Sequence, residues 1–271
     1  MNYGFAHEGD GALGPDDEPE RYCAQLYRVV ASQADLAGRR VLDVGSGRGG
    51  GAAHIHRDLR PAETVGCDQT GQVVAFCDRV HAGTAGLRFC RGDAMRLPFE
   101  DATFDAVLNV ESAHCYAERP RFFDEVMRVL APGGDLLFAD FTSAGGDAEH
   151  ERQQLLIEIE RAGLELLDVT DITRNIVLGL DRDSERRAGV IDRYFPIGLR
   201  RAGKLWAGTR DSWIYRDFAE GRRKYLMCRA VKPSTATQPA SRQDHLISTS
   251  TKLMGMEPAL TTLCSTPASR R

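Results

Sequence analysis

The stretch Val41-Leu42-Asp43-Val44-Gly45-Ser46-Gly47-Arg48-Gly49-Gly50-Gly51 decides the fold. It reads as a buried strand that turns on glycines into a helix, with one carboxylate, Asp43, held just before the turn. Small residues let the backbone pass close to a bound ligand, and the helix start beyond offers free N–H groups. Such a turn builds a nucleotide-type cofactor site. Gly45-x-Gly47-x-x-Gly50 also satisfies the dinucleotide fingerprint, so the glycines alone do not name the cofactor.

Working outward from Arg40, apolar runs alternate with helical periodicity. Strands are predicted at Val41–Val44, Thr64–Cys67, Leu87–Arg91, Phe104–Val110, Leu136–Ala139, Leu164–Val169 and Tyr225–Val231. Phe122, Val126, Val129 and Leu130 share a helix face that Pro132-Gly133-Gly134 closes, and Leu155, Leu156, Ile159 and Ala162 share another that stops at Gly163. Regular alternation calls for a mostly parallel sheet with helices on both faces, whose ligands bind at the carboxyl ends of the strands. Asp43, Asp68, Asp93 and Asn109 all fall at such ends. Residues 171–223 break the alternation with one or two helices over Ile172–Arg193, a breaker at Tyr194-Phe195-Pro196, and a mixed aromatic segment.

Composition narrows the classes. The 271 residues are 42% hydrophobic and 27% charged, with a net charge of -4, as in an ordinary globular chain. No basic block points to nucleic acid, and Arg200-Arg201 and Arg222-Arg223-Lys224 read as solvated faces. Seven scattered cysteines without C-x-x-C spacing argue against zinc and disulfides, so no metal is expected and a cytoplasmic setting suits them. Neither a signal peptide nor an apolar run of ~18 residues is visible. The segment 233–271, rich in Ser, Thr and Pro, has the composition of a disordered tail.

The acids separate the cofactors. Asp43 stands where a dinucleotide fold usually has an apolar residue, and a carboxylate near a pyrophosphate is unfavourable. S-adenosylmethionine instead carries an ammonium and a sulfonium. Asp68 is placed to accept from both ribose hydroxyls, and Asp93 from the adenine amine, with Met95 and Leu97 as apolar contacts. Each acid alone also reads as a helix cap or surface residue. In register at the strand ends, the set favours the sulfonium cofactor.

This cassette resembles that of class I S-adenosylmethionine-dependent methyltransferases. Asn2-Tyr3-Gly4-Phe5, the loop Val44–Gly51 and Asn109-Val110-Glu111-Ser112-Ala113-His114-Cys115-Tyr116 look like the subgroup of phthiotriolone and phenolphthiotriolone dimycocerosate O-methyltransferases and of polyketide O-methyltransferases in bacterial secondary metabolism. The resemblance covers about residues 1–232. It implies a Rossmann-like α/β fold with a seven-stranded, mostly parallel sheet, helices on both faces and a helical cap inserted before the last strand. The organisation that follows is a lid over 1–39, a cofactor-binding core over 40–170, an acceptor cap over 171–223 and a final core strand over 224–232. Members of the subgroup usually carry some tens of residues before the Asn-Tyr-Gly segment. Here the sequence starts at it, which implies a shortened lid or a longer natural chain. The cofactor is assigned to Asp43, Gly45, Ser46, Gly47, Gly49, Asp68, Gln69, Asp93, Ala94 and Asn109.

Methyl transfer to oxygen also requires removal of a proton, and a neutral histidine is the natural base. His114, just beyond the fourth strand, is the candidate; the plain alternative is a loop histidine bonded to backbone. Glu111 is expected either to orient that imidazole or to hold the amino-acid end of the cofactor, and Cys115 to pack. The segment lacks the Asn/Asp-Pro-Pro-aromatic turn common in nitrogen methylation. Tyr194, Phe195, Ile197, Leu199, Trp206 and Trp213 are read either as the lining of an apolar acceptor pocket or as core. The expected acceptor is thus a lipophilic small molecule methylated on a hydroxyl. Carbon methylation of an enolisable acceptor, or cyclisation on a fold that keeps its cofactor, are the alternatives. A homodimer is left open.

Overall fold

The structure, a computed structural model, describes residues 2–11 and 19–234, so the tail expected over 233–271 lies outside the described residues from 235 onward. Seven strands form one sheet in the order β3-β2-β1-β4-β5-β7-β6. They are β1 (Arg40–Val44), β2 (Glu63–Asp68), β3 (Leu87–Arg91), β4 (Phe104–Val110), β5 (Leu130–Phe141), β6 (Glu165–Asp171) and β7 (Tyr225–Val231). Only β7 runs against its neighbours, pairing antiparallel with both β5 and β6. The expected sheet is the observed one.

Burial explains the order. Val41 to Val44 are all buried, as befits a central strand covered on both faces. The outer strand β6, Glu-Leu-Leu-Asp-Val-Thr-Asp, is largely exposed, and its charges discourage further pairing. Leu42, Val44, Phe138 and Cys228 pack with α4 (Arg119–Val129) and α5 (Ala148–Arg161) in one core. Val41, Leu108, Ala139 and Met227 face a second core with α1 (Arg21–Ala31), α2 (Gly50–Leu59), α6 (Thr173–Tyr194) and α8 (Trp213–Ala219). Helix α3 (Gly71–Val80) follows β2, and the short α7 (Arg200–Trp206) follows α6.

Two differences from the sequence reading matter for the site. Pro132-Gly133-Gly134 does not form a loop after α4: the chain passes straight from Val129 into a long β5. Gly133 takes a φ of 78° that a side chain would disfavour, and its N–H donates to the carbonyl of Lys232, pairing this kinked start with the end of β7. The strand also runs beyond Ala139, so Asp140 and Phe141 belong to it. The one or two helices expected over Ile172–Arg193 are a single helix of 22 residues, Thr173–Tyr194. Among the described residues no helix is long and apolar enough to cross a membrane.

Candidate active site

The glycine loop rises from β1 as the sequence implies. Gly45 has a φ of 72°, and a Cβ there would fall 1.8 Å from the Ser112 hydroxyl, so only glycine fits. At Gly51 a Cβ would lie 2.2 Å from the Tyr27 ring, which therefore seats α1 against the start of α2. The loop is fastened by Gly45 and Ser46 N–H groups donating to the Cys67 carbonyl and by Gly47 N–H donating to Asp68 at 3.0 Å. Gly49 caps α2.

Beneath this loop several buried oxygens have no hydrogen-bond partner among the described residues: both carboxylate oxygens of Asp43, Ser46 Oγ and Asn109 Oδ1. Burial pushes the Asp43 carboxyl up to about 8, opposed by the neighbouring Tyr27 hydroxyl and reinforced by the negative Asp68. Native interiors rarely leave such groups unpaired, so this floor suits a ligand bearing positive charge and hydrogen-bond donors. A cavity of about 540 Å³ opens above it, lined by Gly45, Ser46, Gly47 and Glu111 and walled by Asn2, Cys23 and Tyr27 from the N-terminal part.

Of the other predicted residues, Asp43, Asp68, Gln69, Asp93, Ala94, Asn109 and His114 do not line this cavity. Asp68, at the end of β2, accepts from Gly47 and Thr70 N–H groups. Asp93, just past β3, accepts from Met95 N–H at 2.9 Å. Gln69 is exposed and Ala94 is buried beside Asp93. Asn109 donates to the Val44 carbonyl and to the Tyr116 hydroxyl, which also bonds Ser112 at 2.7 Å. These bonds tie β4 and the turn after it to the glycine loop.

That turn carries the second group of functional side chains. Glu111 has a φ of 49°, costly for a residue with a Cβ, and its N–H donates to Ala139 on β5. The kink passes the chain into a 3-10 turn, Ala113–Cys115, that holds His114 over the end of β5. There Asp140 accepts from His114 N–H at 2.8 Å and from Phe141 N–H at 2.8 Å, and pairs with His114 Nδ1 at 2.8 Å. A carboxylate only accepts, so Nδ1 carries the hydrogen and the Nε2 lone pair is free. The ring lies on Phe141 with centroids 4.4 Å apart, and a third of the side chain (33%) stays exposed. Burial pulls the imidazole pKa down, but the Asp140 bond and charge, with Glu111 behind them, carry it above the ordinary value.

Glu111 therefore does not orient the imidazole; Asp140 does. The half-buried Glu111 carboxyl, pushed up to about 7 chiefly by desolvation, accepts instead from Tyr3 N–H at 2.8 Å. Through that bond the N-terminal segment is clipped across the site. Its other fastenings include Phe5 N–H to the Tyr22 carbonyl and the buried Arg187, which donates to the Asn2 and Tyr3 carbonyls while paired with Asp183 at 2.7 Å.

Several sequence expectations are corrected here. Tyr194, Phe195, Ile197, Leu199 and Trp206 line neither the cavity nor the core; they face outward, because the chain leaves α6 at Pro196 and α7 runs over the surface. Trp213, by contrast, packs against the second core as one of the two readings had it, with the Arg223 guanidinium 5.3 Å from its ring centroid. Arg223 is not solvated: it is mostly buried between Trp213, Phe141 and Asp217. Cys115 is exposed rather than packed. Asp140 and Tyr27 are the residues the reading missed. Asp140 had a signal, an acid directly after an apolar run, whereas Tyr27 had none.

Comparison with known proteins bears on the family and the fold. Residues 42–138 match the methyltransferase-domain family. The chain is 40% identical over 238 residues to the fatty-acid O-methyltransferase of Mycolicibacterium smegmatis, covering 86% of this chain and 83% of that protein. It is 36% identical over 231 residues to the phthiotriol/phenolphthiotriol dimycocerosates methyltransferase of Mycobacterium leprae, covering 84% and 83%. Among solved structures, the 4+2 cyclase SpnF superposes with a TM-score of 0.66 at 26% identity, over 87% of this chain and 89% of that one.

Proposed function

The chain belongs to the class I S-adenosylmethionine-dependent methyltransferases, in the subgroup of the mycobacterial dimycocerosate and fatty-acid enzymes, and on that premise we propose that it methylates a hydroxyl of a bulky lipophilic small molecule with His114 as the general base. Bound S-adenosylmethionine supplies a methyl carbon already activated by its sulfonium. The unpartnered oxygens of Asp43, Ser46 and Asn109 fit the cationic amino-acid portion of that cofactor. In this reading Gly45, Gly47 and Gly49 let it approach the backbone, Asp68 and Gln69 hold the ribose, and Asp93 with Ala94 meets the adenine. Segment 1–39 serves as its lid, since Asn2, Glu20, Cys23 and Tyr27 already wall the cavity. Residues 171–223, expected as the acceptor cap, contribute nothing to the lining of this cavity and instead fasten the lid through Arg187, while 40–170 and 224–232 make up the core.

The observation that carries the hydroxyl assignment is the His114–Asp140 pair. Nε2 takes the acceptor proton, and Asp140 keeps the ring oriented and stabilises the imidazolium that results. A carboxylic acid arrives already ionised at neutral pH and gives this pair no proton to remove; an alcohol does. Carbon methylation would use the same base on an enolisable C–H. The fold alone does not choose between transfer and cyclisation, as SpnF illustrates, and the identity to named methyltransferases favours transfer.

The test supplies the purified protein with S-adenosylmethionine and either a long-chain secondary alcohol or a long-chain fatty acid, and identifies the product by mass and NMR. A methyl ether is expected, its formation falling about 10²–10⁴-fold in His114→Ala while cofactor affinity stays within about twofold. Methyl ester alone, a new carbon–methyl bond, or an unaffected His114→Ala would each sink the assignment.

A further inference from the structure

The apolar residues that the cavity does not use are concentrated in one turn of the surface. Ile197 is 82% exposed, Trp206 70%, Tyr194 69% and Leu199 57%, and Phe195 is exposed beside them. They occupy the end of α6, a 3-10 turn at Ile197–Leu199 and α7, a helix only about 10 Å long. The turn is built, not frayed. Gly203 lies so close to Ile191 and Phe195 that a Cβ would meet each at 3.1 Å, Lys204 pairs with Asp192 at 2.8 Å, and Arg200 donates to the Phe195 carbonyl. Large side chains left in water on a fixed framework mark an interaction surface.

Charge identifies the partner. From Arg193 to Trp206 the chain carries Arg193, Arg200, Arg201 and Lys204 and no acid, although the whole protein is at -4. Only Lys204 has an acidic partner among the described residues, Asp192. A second copy of this chain meeting the turn across a two-fold axis would set these cations against their equivalents. An anionic lipid surface satisfies both features at once: tyrosine and tryptophan favour the headgroup level, aliphatic side chains enter the acyl boundary, and arginines meet lipid phosphates. We propose that the turn Arg193–Trp206 docks this protein on the surface of an anionic lipid bilayer. This assignment does not depend on which acceptor is methylated.

The full chain is mixed with phosphatidylcholine vesicles and with phosphatidylcholine/phosphatidylglycerol vesicles, and binding is read by co-sedimentation and by tryptophan emission. Binding to the phosphatidylglycerol vesicles is expected, with a blue shift and with weakening as salt is raised. The double change Ile197→Ser with Leu199→Ser should weaken it about tenfold, and Arg193→Glu with Arg201→Glu by at least about tenfold. Both pairs lie at the surface, so unchanged circular dichroism and Tm will show that the fold is intact. Equal binding to neutral vesicles, binding untouched in both variants, or no binding at all overturns the proposal. So does a concentration-dependent dimer that the serine changes abolish, in the absence of vesicle binding.

Discussion

Two buried aspartates stand near the carboxyl ends of strands that β4 separates in the same sheet, and they are treated in opposite ways. Asp140, on β5, accepts from two backbone N–H groups and pairs with His114 Nδ1. Asp43, on β1, has neither carboxylate oxygen paired among the described residues. The saturated carboxylate is a fixture that aims another side chain. The unsatisfied one is an incomplete site, its cost borne until a donor arrives. On the proposed function, the acceptor side is thus preorganised by the protein itself, while the cofactor side is completed by its ligand.

Asp140→Ala breaks the comparison most severely. It deprives the imidazole and two backbone N–H groups of their acceptor. Turnover should fall about 10²-fold or more, and the unfolding free energy by about 1–3 kcal/mol, as measured by steady-state kinetics and urea titration. Unchanged kinetics would mean that His114 needs no orientation.

Asp43→Asn should act in the opposite sense on stability. The folded carboxyl titrates near 8 and the unfolded one near 3.8, so between these values the folded state holds a proton that the unfolded state has released. Stability of the ligand-free protein therefore falls as pH rises through that window, and the asparagine removes the slope. Expected at pH 8 are a gain of about 1–3 kcal/mol without ligand and an S-adenosylmethionine affinity weakened about 10- to 100-fold by calorimetry. If affinity fell with no gain in stability, Asp43 would not be an unsatisfied charge.

The smallest effect is the most diagnostic. His114 is raised by Asp140, so the neutral base accumulates only above the ordinary imidazole value, and activity should climb with pH through the raised pKa. Stability from the pair runs the other way, complete below the ordinary value and lost through the raised one. Asp140→Asn should move the activity limb to lower pH, by less than about one unit. No movement would leave Asp140 a purely structural acceptor.

How far the sequence reached follows the same physics. β1, β2 and β4 were legible because buried parallel strands are largely continuous apolar runs, and the polar residues at their ends could be counted off. The true extent of β5 was hidden because Pro132-Gly133-Gly134 signals a stop, and only the distant Lys232 reveals that it continues a strand. Asp140, one residue past the expected end, was lost with it. The aromatic turn at 194–206 has no periodicity that separates outward from inward. Likewise Arg223 looks solvated in a run of cations until Asp217, Phe141 and Trp213 close around it.

The clip over the cleft has a consequence for the order in which the molecule can be made. Tyr3 meets Glu111 across 108 residues, and Asn2 meets Arg187 across 185. A chain leaving the ribosome from its N-terminus can form β1, its glycine loop and the acids of β2 and β3 early. The opposite wall of the cavity must wait until α6 has emerged. Loop closure over such spans adds little to the equilibrium cost, since that cost grows only with the logarithm of length, but it fixes a sequence in time. A growing polypeptide therefore presents the cofactor with a floor well before it can offer an enclosure, and retention of the ligand becomes a property of the finished protein.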